Sequence, residues 1–187
     1  MADLLRLVEV VPGVWVAHSR RYLTTSTVLL DGQGGALVID PAWDPDELAA
    51  IPADLAALGV RCVAGLSTHV HYDHVMWHPD LGEVPRWSTP RTVAHLLVER
   101  DRLLAPLADY LTPDLIALAG RLDPLPSGEL PWFGPTARCI THDAHAPGHL
   151  ALLVEESGVL VAGDMLSDVE LPMPADGDLT LETYLSG

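Results

Sequence analysis

The sequence predicts an α/β layered domain. Three observations point to it: a block of short β-branched runs before residue 40, a middle block with apolar residues at helical spacing, and a return of short apolar runs between residues 137 and 162. Strands, then helices, then strands again suit sheets with helices packed on them. The 187 residues fit one domain, 1–187. A chain of that size buries roughly 70% of its unfolded surface, so it needs no disulfide staple.

The elements follow in order. Val14–Ala17 succeeds a Pro-Gly turn and reads as a strand. Thr27–Leu30 and Ala36–Ile39 flank Asp31-Gly32-Gln33-Gly34-Gly35, a glycine-rich hairpin signal. Asp44 is placed to cap a helix, with Pro45 at its first position and Glu47 three after the cap. Leu48, Ile51, Leu55 and Leu58 give that helix one apolar face, and Gly59 ends it. Pro52 lies inside it and is expected to kink or split it. Val60–Leu66 reads as a buried strand. A second helix follows Pro90, with Val93, Leu96, Leu97, Leu103 and Leu104 at helical spacing, and a shorter one covers Pro113–Ala119. Pro124–Pro135 is a proline-rich loop carrying Trp132 and Phe133. Strands return at Ala137–Thr141, Leu150–Glu155 and Val159–Ala162, and Leu179–Leu185 reads as the start of a helix.

Composition excludes several classes. With 49% hydrophobic and 19% charged residues, the chain is not intrinsically disordered. No apolar run approaches the ~20 residues of a spanning helix, so no membrane partner is expected. Ten basic against 26 acidic residues give a net charge of −16, which argues against nucleic acid. All ten basic residues are Arg. The start, Met1-Ala2-Asp3-Leu4-Leu5-Arg6, lacks the layout of a signal peptide, so a cytoplasmic location is expected. Cys62 and Cys139 sit in apolar stretches and read as buried reduced thiols.

Seven of the nine histidines fall in two short windows. Thr68-His69-Val70-His71-Tyr72-Asp73-His74-Val75-Met76-Trp77-His78 holds four, and His142-Asp143-Ala144-His145-Ala146-Pro147-Gly148-His149 holds three. The first directly follows the strand ending at Leu66, where side chains of a loop can converge. His69 and His71, two apart, share a face of an extended segment and can bind one metal. Asp73 and His74 are then placed for a neighbouring one. Mixed nitrogen and oxygen donors favour Zn²⁺, with iron or manganese as alternatives.

His69-x-His71-x-Asp73-His74 after an apolar strand resembles the HxHxDH signature of the metallo-β-lactamase fold superfamily. Leu37-Val38-Ile39-Asp40-Pro41 looks like that family's strand ending in Asp. His145-Ala146-Pro147-Gly148-His149 looks like its H-T-P-G-H turn, and Val159–Asp164 like its strand ending in Gly-Asp. The match covers about residues 10 to 167, with the motifs in the family's order. The resemblance implies a four-layer αββα sandwich with an incomplete C-terminal half. It implies that His69, His71 and His145 bind a first metal, that Asp73 and His74 bind a second, and that Asp164 bridges the two. Asp40 would orient a ligand by hydrogen bonding, and His149 would stand behind the ligands. His142 would lie outside the coordination sphere.

Two departures from the family pattern matter. Val75-Met76-Trp77-His78 stands where relatives carry small residues, making Trp77 and His78 candidates for a pocket wall, or else Trp77 a core residue and His78 a solvent-facing one. The helix Val93–Leu104, with Trp87, Trp132 and Phe133, is a second candidate lining, or ordinary core. No histidine follows Asp164, whereas the family supplies a last one to the second site. The expected alternatives are a truncated chain, a second site completed by another group, or a single ion.

The implied activity is metal-dependent hydrolysis by a metal-activated hydroxide, with Asp73 orienting the nucleophile and shuttling a proton. An ester, lactone, thioester or similar small molecule is the expected substrate. The alternatives are a mononuclear iron sulfur dioxygenase of the same fold, using His69, His145 and Asp164, and a non-catalytic metal-binding module. An oligomer is compatible with all three.

Overall fold

The computed structural model describes residues 7–126 and 129–167. The helix read at Leu179–Leu185 lies outside them.

Seven strands form the first sheet in chain order: β1 (Val8–Val11), β2 (Val14–His18), β3 (Thr25–Leu30), β4 (Gly35–Ile39), β5 (Arg61–Leu66), β6 (Arg86–Ser88) and β7 (Asp123–Pro124). β1 to β4 pair antiparallel, and β4 to β7 pair parallel. The switch falls where the connections lengthen. β3 and β4 are joined by the glycine-rich turn, whereas β4 and β5 are joined through α1 (Pro45–Ala57). A second, antiparallel sheet has the order β10 (Val159–Val161), β9 (His149–Val154), β8 (Ala137–His142). Two further helices, α2 (Pro90–Leu104) and α3 (Pro113–Leu118), lie between β6 and β8 in sequence.

The pleat sorts the core. Val28, Ala36 and Val38 point to one face of the large sheet and pack with Ile51 and Leu55 of α1. Leu29, Leu37 and Ile39 point to the other and pack with Leu150, Leu152 and Val154 of β9. The described residues therefore stack helix, sheet, sheet. β3 and β4 are apolar on both sides because both sides are covered, which explains why these strands read as continuous apolar runs rather than alternating ones.

Two expectations about α1 need correction. Pro52 neither kinks nor splits it, and the helix runs unbroken from Pro45 to Ala57. Leu48 and Ile51 before and beside the proline and Leu55 after it are all buried, so packing holds both halves on the sheet against a proline cost of ~3 kcal/mol. Asp44 occupies the cap position but makes no side-chain cap hydrogen bond. Its carboxylate accepts from the Tyr110 hydroxyl instead, and Glu47 accepts from Ser19 Oγ (2.6 Å) and the Arg20 amide (2.9 Å). These acids tie the β2–β3 loop to the helix start.

No described helix is long and apolar enough to cross a membrane.

Candidate metal centre

The site lies at the carboxyl ends of β4 and β5, where parallel strands leave loops free to converge. Asp40, immediately after β4, adopts φ 48°, a left-handed conformation uncommon for a non-glycine residue. That turn aims its carboxylate across to the β5 loop. Oδ1 accepts from the Thr68 amide (2.7 Å), and Oδ2 from the Thr68 hydroxyl (2.6 Å) and His74 Nδ1 (2.9 Å).

These bonds orient two rings. His74 donates from Nδ1 to Asp40, which turns Nε2 towards the site. The Thr68 hydroxyl spends its proton on Asp40, so it accepts from His69 Nδ1 at 3.0 Å and leaves His69 Nε2 bare. One buried carboxylate thus sets the inward face of two histidines, one directly and one through a threonine.

The ring nitrogens converge. His69 Nε2 lies 3.0 Å from His71 Nδ1, and His145 Nε2 lies 3.1 Å from the same atom. Asp164 Oδ2 stands 3.8 Å from His69 Nε2 and 3.6 Å from His145 Nε2. One donor atom from each of His69, His71, His145 and Asp164 lies within 4.8 Å of every other. Beside this group, His74 Nε2 faces Asp164 Oδ1 at 3.1 Å and Asp73 Oδ2 at 3.6 Å, off the hydrogen-bond direction with both.

Three imidazole nitrogens this close share either a proton or a cation. The donor set therefore fits a divalent metal: neutral imidazoles, a carboxylate, and a buried Nε2 on His74 with no hydrogen-bond partner among the described residues. The electrostatics agree. Burial and the neighbouring rings hold His69 well below the ordinary histidine value and bring His71 down to about 4, so both rings are neutral at pH 7. Burial pushes Asp164 up, but His74, His145 and His71 outweigh it and hold the carboxyl at about 2. Burial raises Asp73, with Asp164 and Asp40 adding to it against His74. Burial opposes charge on His74, yet Asp40, Asp73 and Asp164 together raise it well above the usual value.

The other predicted residues are placed as follows. His149 is fully buried, its ring stacked on His69 (4.9 Å between centroids) and on His142 (4.5 Å). Burial holds it at about 3. It stands behind the converging nitrogens, not among them, and His142 is one layer further out. Trp77 lies outside the converging group and helps line a separate cavity of about 550 Å³ with Pro79, Val84 and Leu118. It is buried in the core under α1, flat on Gly65, where a Cβ would fall 2.7 Å from its ring. Val75 and Met76 are buried likewise, so the bulk after His74 turns inward and away from the site. His78 accepts from the Asp80 amide at 3.2 Å and caps the short turn Pro79–Leu81. A groove of about 560 Å³ on the flank of α2 contains none of the converging residues.

Several supports carried no sequence signal of their own. Thr89 caps α2 by accepting from the Thr92 amide, while its hydroxyl donates to the Gly148 carbonyl at 2.6 Å. This seats the turn bearing His145 on the helix start. Gly148 has φ 76°, and a Cβ there would fall 2.5 Å from Thr89 Oγ1. Gly163, φ 56°, precedes Asp164, and a Cβ there would fall 2.5 Å from His149 Nε2.

With this geometry in hand, comparison with known proteins gives the class. A family model described as "Metallo-beta-lactamase superfamily" matches residues 20–184, and the chain belongs to that superfamily. A curated relative, hydroxyacylglutathione hydrolase from Synechococcus sp. (strain JA-2-3B'a(2-13)), is 31% identical over 131 residues, covering 70% of this chain and 44% of its own length. The chain thus spans less than half of that relative. Among solved structures, a beta-lactamase domain protein from Burkholderia ambifaria aligns with a TM-score of 0.71 at 24% identity, over 99% of this chain and 67% of that one. A metallo-beta-lactamase family protein from Thermus thermophilus gives 0.69 at 23% identity, over 95% and 69%. These structures share the fold predicted from the sequence.

Proposed function

We propose that the protein is a metal-dependent hydrolase of a small carbonyl substrate, with a thioester the first class to try. His69, His71, His145 and Asp164 hold one ion. Asp73 and His74, with Asp164 between the sites, hold a second. Zinc is the metal these donors favour. The observation that carries this reading is the convergence of three ring nitrogens on one point, with the rings of His69 and His74 oriented by Asp40. The thioester preference rests on the relative named hydroxyacylglutathione hydrolase.

A bound divalent ion supplies Lewis acidity and lets water ionise near neutral pH. The chain supplies the rest. Asp73, held close to His74 with part of its carboxylate open to solvent, orients the attacking water. It takes the proton and returns it to the leaving group. Asp40 and Thr68 keep His69 and His74 in register while charge moves.

The test is metal quantification on protein made in unsupplemented medium, with ester, lactone, thioester and phosphodiester substrates. Stoichiometric zinc with thioester or ester turnover is expected. Asp73→Ala is expected to lower kcat by about 10²-fold or more with the fold intact. Full activity in that variant would overturn its role. A second reading, iron-dependent sulfur dioxygenation, is favoured by one observation: the tight four-residue group of three histidines and one carboxylate leaves out Asp73 and His74, and His69, His145 and Asp164 within it form a two-histidine, one-carboxylate set. Stoichiometric iron without zinc would select it.

A further inference from the structure

We propose that Arg21, on the loop between β2 and β3, is the receptor for a carboxylate that the substrate carries at a distance from the bond to be broken. The inference rests on the hydrolase reading and adds a substrate class to it.

The loop is unusual in three ways. Tyr22 and Leu23 are consecutive non-glycine residues with φ 60° and 54°. Each such conformation is unfavourable for an L-residue, and strain of this kind gathers at functional loops. The loop also presents large side chains to solvent. Tyr22 is 58% exposed, Leu23 48%, and Tyr110 beside them 41%. Finally, it carries the guanidinium of Arg21 between rings, 5.4 Å from the Trp43 centroid and 5.2 Å from that of Tyr110.

The two neighbouring arginines differ in what they hold. Arg20 is occupied by Asp46 through Nη2 at 2.6 and 2.7 Å and by Glu47 through Nε at 2.8 Å. It fastens the loop to α1. Arg21 has one acidic neighbour, Asp44, 3.5 Å from Nε. Its Nη1 and Nη2 make no hydrogen bond among the described residues, and its side chain is 54% exposed. The aromatic contacts hold the guanidinium against the rings and leave both terminal amino groups for an acceptor, the pair of donors that suits a planar carboxylate.

The patch leads to the metal centre. Tyr22 stacks on Trp43 (5.7 Å), Trp43 meets Tyr72 edge-on (5.4 Å), and Tyr72 stands between His71 and Asp73 in the chain. A substrate lying along this aromatic row has its reacting carbonyl at the metal end and its far end at Arg21. In a chain of net charge −16, a local cation favours the docking of an anionic substrate. Asp44, Asp46 and Glu47 nearby oppose a dianion, which favours a carboxylate over a phosphate monoester.

The experiment uses the metal-loaded full chain and S-acetyl thioesters of 3-mercaptopropionic and 6-mercaptohexanoic acid. Their primary amides are neutral controls, and S-acetyl 6-mercaptohexyl phosphate is the dianionic one. Wild type is expected to prefer the longer acid to its amide and to the phosphate, mainly through KM, and to lose the preference as salt is raised. Arg21→Gln is expected to reduce the acid-to-amide ratio of kcat/KM by tenfold or more. Arg21→Lys, which keeps the charge but not the fork, is expected to restore it only in part. An unchanged ratio in Arg21→Gln overturns the proposal, as does a wild type that prefers the phosphate. If wild type hydrolyses none of the thioesters, the thioester preference of the hydrolase reading fails by itself. Calorimetric titration with 6-(ethylsulfanyl)hexanoic acid and its amide then decides on Arg21. Tighter binding of the acid that Arg21→Gln abolishes supports the receptor, and equal binding of acid and amide by wild type overturns it.

Discussion

At the scale of single residues, Asp40 is the pivot of the centre. Its left-handed backbone, unfavourable by itself, places one carboxylate against both Thr68 and His74. Asn tolerates that backbone conformation well but replaces one acceptor oxygen with a donor. Asp40→Asn should therefore fold normally and bind metal about 10–100-fold more weakly, read by competition with a chromogenic chelator. Wild-type affinity in that variant would mean that the hydrogen bonds to Thr68 and His74 do not set the ligands. Gly163 answers a different demand. Its positive φ and the 2.5 Å approach to His149 Nε2 leave no room for a methyl group. Gly163→Ala should lose about 1–2 kcal/mol from backbone strain alone, with more from the displaced imidazole. Urea unfolding measures it, and an unchanged midpoint would contradict the packing described.

At the scale of elements, the metal centre depends on helix α2 as much as on the strands that carry its residues. The Thr89 hydroxyl accepts from the Thr92 amide and donates to the Gly148 carbonyl, so a helix cap and the seat of the His145 turn are the same group. Thr89→Val keeps the shape and removes both bonds. It should cost about 0.5–2 kcal/mol for the cap and weaken metal binding through His145. A loss of stability with unchanged metal affinity would separate the two roles. None of this was legible in the sequence, where Thr89 is one more polar residue before a proline. What was legible had contiguity. His69, His71, Asp73 and His74 lie within six residues, and His145 to His149 within five, so local pattern sufficed to collect them. Strands β2, β3, β4 and β5 were readable because they are apolar over several residues between turn signals. β6 is three residues long and exists through parallel pairing with β5 and β7, which no local pattern records. Pro52 misled because its local cost is real but smaller than the burial of Leu48, Ile51 and Leu55. The Tyr22, Trp43, Tyr72 and Tyr110 patch is scattered over the first 110 residues and is assembled only by the fold.

At the scale of the whole molecule, folding confines several neutral histidines in a buried cluster, and this makes stability depend on pH in a defined direction. His71 titrates at about 4 and His149 at about 3 in the folded chain, both through burial first. In the unfolded chain each takes a proton near 6.5. Below that value the unfolded state binds more protons, so stability falls as pH drops from about 6.5 towards 4. His74 acts with the opposite sign. Raised by Asp40, Asp73 and Asp164 against burial, it contributes in full below about 6.5 and loses its contribution as pH rises through its folded value, so it does not offset a loss on the acid side. Chelator-treated protein should therefore melt at progressively lower temperature from pH 7 to pH 5. Metal-loaded protein should melt higher than the chelated form at pH 7, and the gap should narrow in acid as protons displace the metal from the imidazoles. A melting temperature indifferent both to chelator and to pH between 7 and 5 would mean that the histidine cluster neither binds an ion nor is held neutral by burial, and the metal-centre reading would fall with it.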